Sequence, residues 1–314
     1  MGTSRASPPV LPPTERLHPR ADDLDLLSIR SVVRRLHDED LAAVRAVRAS
    51  LPAVAEAARA VADALRSGGR LLYVGAGTSG RLGVLDASEC PPTFGVPPSR
   101  VRAAIAGGRP ALTRAVEGAE DDVDAGAAAV RTFRAGPKDV VCGISASAST
   151  PYVLGALGEA KRRGARTVLV CCNPPGPKVD ADTVVLARTG PELVAGSTRL
   201  KAGTATKLIL NAVTTAAFVS LGKVYRGRMV DVRPANAKLR TRAARMVAEL
   251  TELPARQASK LLEAAGGEVK LALAMHFTGL DAKEARKRLL AKGLRALSPT
   301  GRRGAKPRSR RTTR

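Results

Sequence analysis

The chain has 314 residues, of which 44% are hydrophobic, and its formal net charge is +24. This length allows a sizeable core, in one domain or in one domain with a small appendage. Aromatic residues make up only 2% of the chain and tryptophan is absent, which argues against a base-stacking surface. Despite the positive charge, we therefore expect no specific nucleic-acid partner.

Neither a membrane span nor an export signal is predicted. No apolar run approaches the ~20 residues that a transmembrane helix needs, and the N-terminus lacks the hydrophobic segment of a signal peptide. We therefore expect a cytoplasmic protein without membrane association. The four cysteines show neither CxxC spacing nor a nearby histidine, so we expect reduced structural thiols and no metal site. They are Cys90, Cys142, Cys171 and Cys172.

The predicted elements begin with a proline-rich arm of about 22 residues and a helix over residues 38–68. Five apolar, strand-like runs follow and alternate with helical stretches. This pattern is typical of an α/β fold with a doubly wound, mainly parallel sheet and helices on both faces. The runs cover residues 70–74, 101–106, 139–144, 167–171 and 183–187. Residues 202–222 predict a long buried helix that closes this domain.

A glycine-rich loop, GAGTSG at residues 75–80, follows the first run and matches the GxGxxG pattern. Backbone N–H groups in such a turn, at a helix N-terminus, bind phosphate. A dinucleotide site would need an acidic residue ~20 positions further on, and the second run ends without one. The hydroxyls of the loop suit a phosphate monoester better than a pyrophosphate. We therefore predict that Gly77, Thr78 and Ser79 bind a phosphate group.

A second hydroxyl-rich loop, SASAST at residues 145–150, follows the third predicted strand and precedes a helix that begins near Pro151. Hydroxyls at the carboxyl end of a strand, before a helix N-terminus, are placed to hold phosphate oxygens. Ser145, Ser147 and Thr150 are the candidates. The alternative interpretation is an ordinary serine-rich region that caps the helix.

Two glutamates and one lysine are further candidates. Glu89 lies in DASECPP and Glu120 in EGAEDD, whereas Lys201 lies at the predicted start of the long buried helix. From the residues alone, each has an ordinary alternative: a solvated glutamate, an acidic group at a helix start and a solvated lysine. Sequence spacing does not show whether the two glutamates meet.

Beyond residue 236, short helical stretches separated by Pro254 and by glycines predict a compact appendage of three or four helices. The stretch VKLALAMHF is mostly apolar, so we expect it, including His276, to be buried and not to read DNA. Residues 301–314 carry seven positive charges and no acidic residue, which predicts a disordered tail. The predicted division is 1–62 (arm and helix), 63–226 (α/β domain), 227–300 (helical region) and 301–314 (basic tail).

Together with the glycine loop, four segments resemble the N-acetylmuramic acid 6-phosphate etherases, a family with a sugar isomerase (SIS) domain. The segment that contains the glycine loop runs over residues 72–95. The four other segments cover residues 14–28, 117–122, 196–211 and 222–240. The resemblance extends over nearly the whole chain. It makes residues 63–226 the SIS domain and the C-terminal helices the small helical part of that family.

The resemblance implies cleavage of the D-lactyl ether of N-acetylmuramic acid 6-phosphate, giving N-acetylglucosamine 6-phosphate and D-lactate. It assigns catalysis to Glu89 and Glu120. For the implied reaction, Lys201 is a substrate-binding candidate that would support the developing enolate or pair with the lactate carboxylate, and Arg199 is a second candidate. The expected partners are a phosphorylated amino sugar and a second copy of the chain in a homodimer. The chemistry needs no metal and no organic cofactor.

One departure from the family keeps an alternative open. Ala148 and Ser149 stand where the family usually carries glycine and arginine, which removes a residue that tolerates positive φ and a possible phosphate partner. The alternative is a non-catalytic SIS-domain protein that binds sugar phosphates for regulation. A DNA-binding regulator is disfavoured, because residues 38–68 do not supply a helix-turn-helix.

Overall fold

The computed structural model describes residues 11–177, 179–231 and 237–299. These residues form two compact units. The first comprises the described residues up to Pro91 together with those of Pro97–Ala217, and the second comprises Pro92–Val96 together with the described residues from Phe218 onward. The predicted basic tail, residues 301–314, lies outside the described residues.

The first unit begins with an arm that contains two short 3₁₀ turns, Pro13–Glu15 and Leu24–Leu26, and continues into helix α1, Ile29–Arg66. Helix α1 begins nine residues before the predicted start because Ser28 caps it: its side chain accepts a hydrogen bond from the Ser31 N–H at 3.3 Å. The predicted boundary at residue 62 falls inside this helix.

The first unit is built on a five-stranded parallel sheet with the order β2-β1-β3-β4-β5. Nearly every residue of its central strands is buried, as expected for strands covered by helices on both faces. The strands are β1 Leu71–Gly75, β2 Val101–Ile105, β3 Val140–Ile144, β4 Arg166–Cys171 and β5 Thr183–Leu186. The accompanying helices are α2 Gly77–Phe94, α3 Val123–Phe133, α4 Pro151–Arg162 and α5 Lys201–Ser220. The predicted fold class is confirmed.

The strand order creates a crevice at the carboxyl ends of β1 and β3. The chain leaves β1 towards β2 on one side, whereas β3 lies on the other side of β1. The loops after β1 and β3 therefore diverge, and open α/β sheets bind ligands at such a switch point. Two glycines bring α2 close to β1, since a Cβ on Gly75 would lie 2.8 Å from the Gly80 nitrogen and one on Gly80 would lie 2.6 Å from the Gly75 oxygen.

Among the described helices, α5 alone is long and apolar enough to cross a membrane by length and composition. Within its most apolar window, 56% is buried inside the protein, and core helices of globular domains pass the same test. Ala205, Ile209 and Leu210 are at most 1% exposed. Helix α5 therefore packs as the closing helix that the sequence predicts.

The second unit holds the predicted helical part. It contains a two-stranded antiparallel ribbon and four helices that share a core around Val247, Leu271 and Leu273. Its elements are β6 Val224–Tyr225, β7 Arg228–Met229, α6 Ala237–Thr251, α7 Ala255–Ala264, α8 Val269–Thr278 and α9 Ala282–Leu297. Helix α8 is mostly buried, as expected, but the expectation for His276 was wrong. Its side chain is exposed because it falls in the last turn, past the buried stretch that ends at Ala274.

Candidate active site

A cavity of about 420 Å³ lies at the switch point of the sheet. Its walls come from the loops after β1 and β3, the turn after β2, the loop before α5 and the N-terminal arm. The lining residues are Glu15, Ala76, Gly77, Thr78, Ser79, Glu120, Asp121, Ile144, Ala146, Ser147, Ser149, Thr150, Pro151, Gly196 and Thr198. The structure thus gathers most of the predicted site residues in one place.

The first wall is the start of α2. Gly77 has φ +50°, and no heavy atom would lie within 4 Å of a Cβ built on it, so the backbone conformation and not crowding explains the glycine. Thr78 and Ser79 follow in the first helical turn and line the cavity. The free N–H groups at this helix terminus and the two hydroxyls together form a site for an anion.

The second wall is the loop between β3 and α4. Ser145 is 2% exposed and connects two other residues of the loop: its Oγ lies 2.7 Å from Thr150 Oγ1 and 3.2 Å from Ser147 Oγ. Ser147 also accepts hydrogen bonds from the Ser149 N–H and hydroxyl. Ser147, Ser149 and Thr150 line the cavity, whereas Ser145 is not among the lining residues. This chain of hydroxyls places oxygen donors beside the N-terminus of α4.

The third wall is acidic. Glu120 and Asp121 lie in a 3₁₀ turn, Ala119–Asp121, that follows Gly118 with φ +72°. Glu15 reaches the same cavity from the N-terminal arm. Neither lysine nor arginine is found among the described lining residues. An anion in this cavity would therefore be held by N–H groups and hydroxyls, and the carboxylates would face the rest of the ligand.

Glu89 is not among the lining residues of this cavity. It is exposed and lies ten residues beyond Ser79 on α2, which corresponds to about 15 Å along a helix axis. The helix is fixed by buried Asp86, which accepts hydrogen bonds from Tyr73 Oη at 2.9 Å, Asn211 Nδ2 at 2.8 Å and Thr214 Oγ1 at 3.2 Å. One chain therefore presents Glu120 and Glu89 at different places.

Lys201 is also absent from the lining. Its side chain is 4% exposed, and its ammonium donates to Glu39 Oε2 at 2.6 Å. Burial would raise the pKa of Glu39, but hydrogen bonds from Lys201 and Arg20 and the charges of Lys201 and His18 lower it to about 2. Both sequence interpretations of Lys201 assumed an accessible ammonium, whereas the structure buries it in an ion pair.

The cysteines are buried and free. Burial and the nearby Asp86 carboxylate raise the pKa of Cys90 to about 12, and burial likewise raises that of Cys171 to about 12. A thiol in such surroundings stays protonated and is a poor nucleophile. No group of three or more potential metal-binding side chains occurs in the part of the chain that the structure describes.

Three polar lining residues were not singled out from the sequence: Glu15, Asp121 and Thr198. Glu15 and Thr198 lie in segments that carry the family resemblance, but sequence spacing gives no sign that an arm and a loop about 180 positions apart share a cavity. Asp121 directly follows Glu120 in the EGAEDD segment, where the ordinary interpretation of an acidic residue is a group at a helix start.

A parallel SIS-type sheet with hydroxyl-rich loops at its switch point places the chain in the SIS class of phosphosugar proteins. The family model for the glucokinase regulatory protein N-terminal SIS domain matches residues 53–161. The N-acetylmuramic acid 6-phosphate etherases of Salmonella agona and Salmonella typhi are each 50% identical over 279 residues, spanning 88% of this chain and 94% of the relative. The chain belongs to the N-acetylmuramic acid 6-phosphate etherase family.

Solved structures show similarity at the level of the fold. The phosphoheptose isomerase of Francisella tularensis is 20% identical with a TM-score of 0.48, covering 62% of this chain and 99% of that protein. The phosphoheptose isomerase of Neisseria gonorrhoeae is 18% identical with a TM-score of 0.44, covering 60% of this chain and 98% of that protein.

Proposed function

We propose that this protein cleaves the D-lactyl ether of N-acetylmuramic acid 6-phosphate, taking up one water and releasing N-acetylglucosamine 6-phosphate and D-lactate. The observation that carries the proposal is the position of Glu120, a carboxylate in the same cavity as two hydroxyl-rich helix N-termini. A sugar whose 6-phosphate occupies those termini extends its ring carbons towards the acidic wall. The proposed compartment is the cytoplasm.

The proposed reaction is a β-elimination followed by addition of water. Ring opening exposes the C1 aldehyde, which makes the C2 proton acidic. Glu120 removes that proton, and the lactyl oxygen leaves C3 with its bonding electrons and takes up a proton. Water then adds at C3 and a proton returns to C2. Each assisted proton transfer contributes about 10²- to 10⁴-fold in rate.

Glu89 is proposed as the acid that protonates the departing lactyl oxygen and then as the base that activates the water. Because α2 carries Glu89 about 15 Å from the phosphate loop of its own chain, we propose that it serves the cavity of a second copy. Leu85, one turn earlier on the same helix, is 49% exposed, so Glu89 lies beside an apolar side chain that a partner would cover.

A homodimer is proposed as the assembly that brings the two carboxylates together. Further apolar side chains are exposed along α1, including Ile29 at 85%, Val33 at 59% and Leu51 at 51%. Closed twofold dimers are the commonest soluble assemblies, and a twofold contact would complete two equivalent sites at once.

The first prediction is lactate release that depends on both glutamates. Purified protein with N-acetylmuramic acid 6-phosphate should release D-lactate, and Glu89→Gln and Glu120→Gln should each lower kcat by about 10²-fold or more, since each removes one proton-transfer group. An enzymatic D-lactate assay measures the rate. Wild-type elimination kinetics in either variant would exclude the role assigned to that residue.

Mixing the two inactive variants tests the shared site. In a dimer of Glu89→Gln with Glu120→Gln, one cavity receives both intact carboxylates and the other receives neither. After denaturation and refolding of an equal mixture, about a quarter of the wild-type activity should return, because half the dimers are mixed and half their sites are intact. No recovery from variants that refold and dimerise would place Glu89 outside the partner's cavity.

A regulatory role is the second candidate. It is favoured by the match of residues 53–161 to the domain model of a regulatory protein and by the Ala148-Ser149 loop. Saturable binding of the sugar phosphate without D-lactate release would support it, and lactate release at an enzymatic rate would exclude it.

A further inference from the structure

The N-terminal arm is anchored at Thr14 by buried polar contacts. Thr14 is 0% exposed and Asn173, just after β4, is 2% exposed. The Thr14 N–H donates to Asn173 Oδ1 at 3.3 Å, and Asn173 Nδ2 donates to Thr14 Oγ1 at 2.7 Å. The Gly196 N–H donates to the Thr14 carbonyl oxygen at 3.3 Å. The position of Thr14 is therefore specified by three hydrogen bonds to residues about 160 to 180 positions away.

A second anchor follows four residues later. His18 Nε2 lies 3.1 Å from Glu39 Oε2, and Arg20 pairs with Glu39 Oε1. Glu39 in turn holds the ammonium of Lys201. The arm is thus attached to α1 and, through Glu39, to α5. Glu15 lies between the two anchors, so its backbone is held on both sides.

Glu15 itself is exposed at the cavity and has no ion pair among the described residues. Its carboxylate lies against the backbone of Gly196, where a Cβ would come within 2.8 Å of Glu15 Oε2. Gly196 has φ +74°, a backbone conformation that residues other than glycine rarely adopt. The loop before α5 therefore leaves room for this carboxylate, and the arm delivers it there.

We propose that Glu15 is a substrate-binding residue that accepts a hydrogen bond from a hydroxyl or amide N–H on the sugar ring. This inference rests on the proposed function. A carboxylate repels a phosphate, so Glu15 faces the part of the substrate away from the two helix N-termini. It selects phosphate esters that carry a hydrogen-bond donor on a ring carbon over phosphate alone. A charged acceptor in a partly enclosed site gives one of the stronger hydrogen bonds in proteins.

The test compares binding of N-acetylglucosamine 6-phosphate with binding of inorganic phosphate, both by calorimetry. Glu15→Ala should weaken binding of the sugar phosphate by about 10- to 100-fold, the range expected for one hydrogen bond to a charged group. Binding of inorganic phosphate should be unchanged or tighter, because a negative charge is removed. Asp25→Asn, an exposed acid of the same arm outside the cavity, is the matched control and should alter neither.

Thr14→Val serves as the second variant. It keeps the shape of the residue but removes the hydroxyl that accepts a hydrogen bond from Asn173, so one of the three hydrogen bonds that fix the arm next to Glu15 is lost. Thr14→Val should weaken binding of the sugar phosphate in the wild-type background but add nothing in the Glu15→Ala background. Equal losses for sugar phosphate and inorganic phosphate, or additive effects of the two changes, would overturn the proposal.

Turnover provides a separate readout. With N-acetylmuramic acid 6-phosphate, Glu15→Ala should raise KM with little change in kcat, since the contact is made in the ground state and the transition state alike. Absence of lactate in the wild type, with the binding pattern intact, would reject the proposed reaction and leave the role of Glu15 standing. Lactate release by the wild type, with unchanged binding of the sugar phosphate by Glu15→Ala, would support the proposed reaction and reject the role of Glu15.

Discussion

At the scale of single residues, the cavity separates acceptors from donors. Thr78, Ser79 and Ser147 lie at the helix N-termini, whereas Glu15 comes from the N-terminal arm and Glu120 from the turn after β2. This arrangement suits a ligand with one anionic end and several neutral donors, and a phosphorylated amino sugar has that distribution. Because the described lining residues include no lysine or arginine, the hydroxyls and N–H groups would bind the anionic end without a positively charged side chain.

Ser149 is the position at which a positive charge would enter. Its side chain lines the cavity, and its hydroxyl donates a hydrogen bond to Ser147 Oγ next to the N-terminus of α4. Ser149→Arg should lower KM and the dissociation constant of the sugar phosphate by about tenfold, because one guanidinium–phosphate contact is worth about 1.4 kcal/mol or more. Calorimetry and lactate kinetics measure the two constants.

The salt dependence separates this contact from a general change of charge. Affinity of the Ser149→Arg variant should fall more steeply with ionic strength than that of the wild type. Ser67→Arg, at a position outside the cavity, is the matched control and should leave the affinity unchanged. Equal affinities of Ser149→Arg and wild type would mean that the guanidinium does not reach the phosphate.

At the scale of elements, the β3–α4 loop is unusual in its backbone. Ala148 has φ +62° and is 1% exposed, and its N–H donates to the Ser145 carbonyl oxygen at 3.1 Å. The left-handed region costs a residue with a Cβ about 1–2 kcal/mol. The loop therefore keeps the shape that glycine would adopt easily, and the departure from the family pattern is accommodated as local strain.

This strain predicts a contrast between two buried alanines. Ala148→Gly should change the free energy of unfolding by less than about 1 kcal/mol, because relief of strain offsets the lost methyl burial and the added chain entropy. Ala160→Gly, in α4 and 0% exposed, should cost about 1–2 kcal/mol, since it loses a methyl group and helix propensity with no relief. Urea unfolding measures both, and equal losses would contradict the strain.

The elements also show what the sequence can and cannot predict. The five strands were predictable because strands buried on both faces are continuous apolar runs, and Thr78, Ser147 and Thr150 gather because their loops leave neighbouring strands. The partner of Lys201 was not predictable. Glu39 lies 162 positions earlier, on α1, and nothing in its sequence neighbourhood distinguishes it from an ordinary solvent-exposed glutamate. The ion pair forms because the arm, α1 and α5 pack together.

At the scale of the whole molecule, Glu39 joins three parts of the first unit. It accepts hydrogen bonds from Arg20 of the arm and Lys201 of α5 and lies within reach of His18, while its own backbone belongs to α1. Its side chain is 11% exposed, so little solvent screens these contacts. The anchoring of the arm, and with it the place of Glu15, depends on this carboxylate being ionised.

The lowered pKa of Glu39 determines how the stability of the protein changes with pH. The pKa of Glu39 is about 2 in the folded protein against the ordinary glutamate value of 4.5, so the unfolded chain binds more protons between these values. The stabilisation is therefore fully present above about pH 5 and is lost as the pH falls towards 2. The full shift sets an upper limit of about 3 kcal/mol on the unfolding free energy that this group contributes at neutral pH. Urea unfolding from pH 7 to pH 3 measures the loss.

Glu39→Gln is the comparison that isolates this group. The variant cannot ionise at residue 39, so its unfolding free energy should fall less steeply below pH 5 than that of the wild type. It should also be less stable at pH 7, because Lys201 is left buried without its carboxylate. Asp63→Asn removes an exposed carboxylate of the same helix, whose pair with Arg66 lies at the surface, and should leave the wild-type slope unchanged. Parallel pH profiles for Glu39→Gln and the wild type would show that Glu39 does not link the arm to the stability of the first unit.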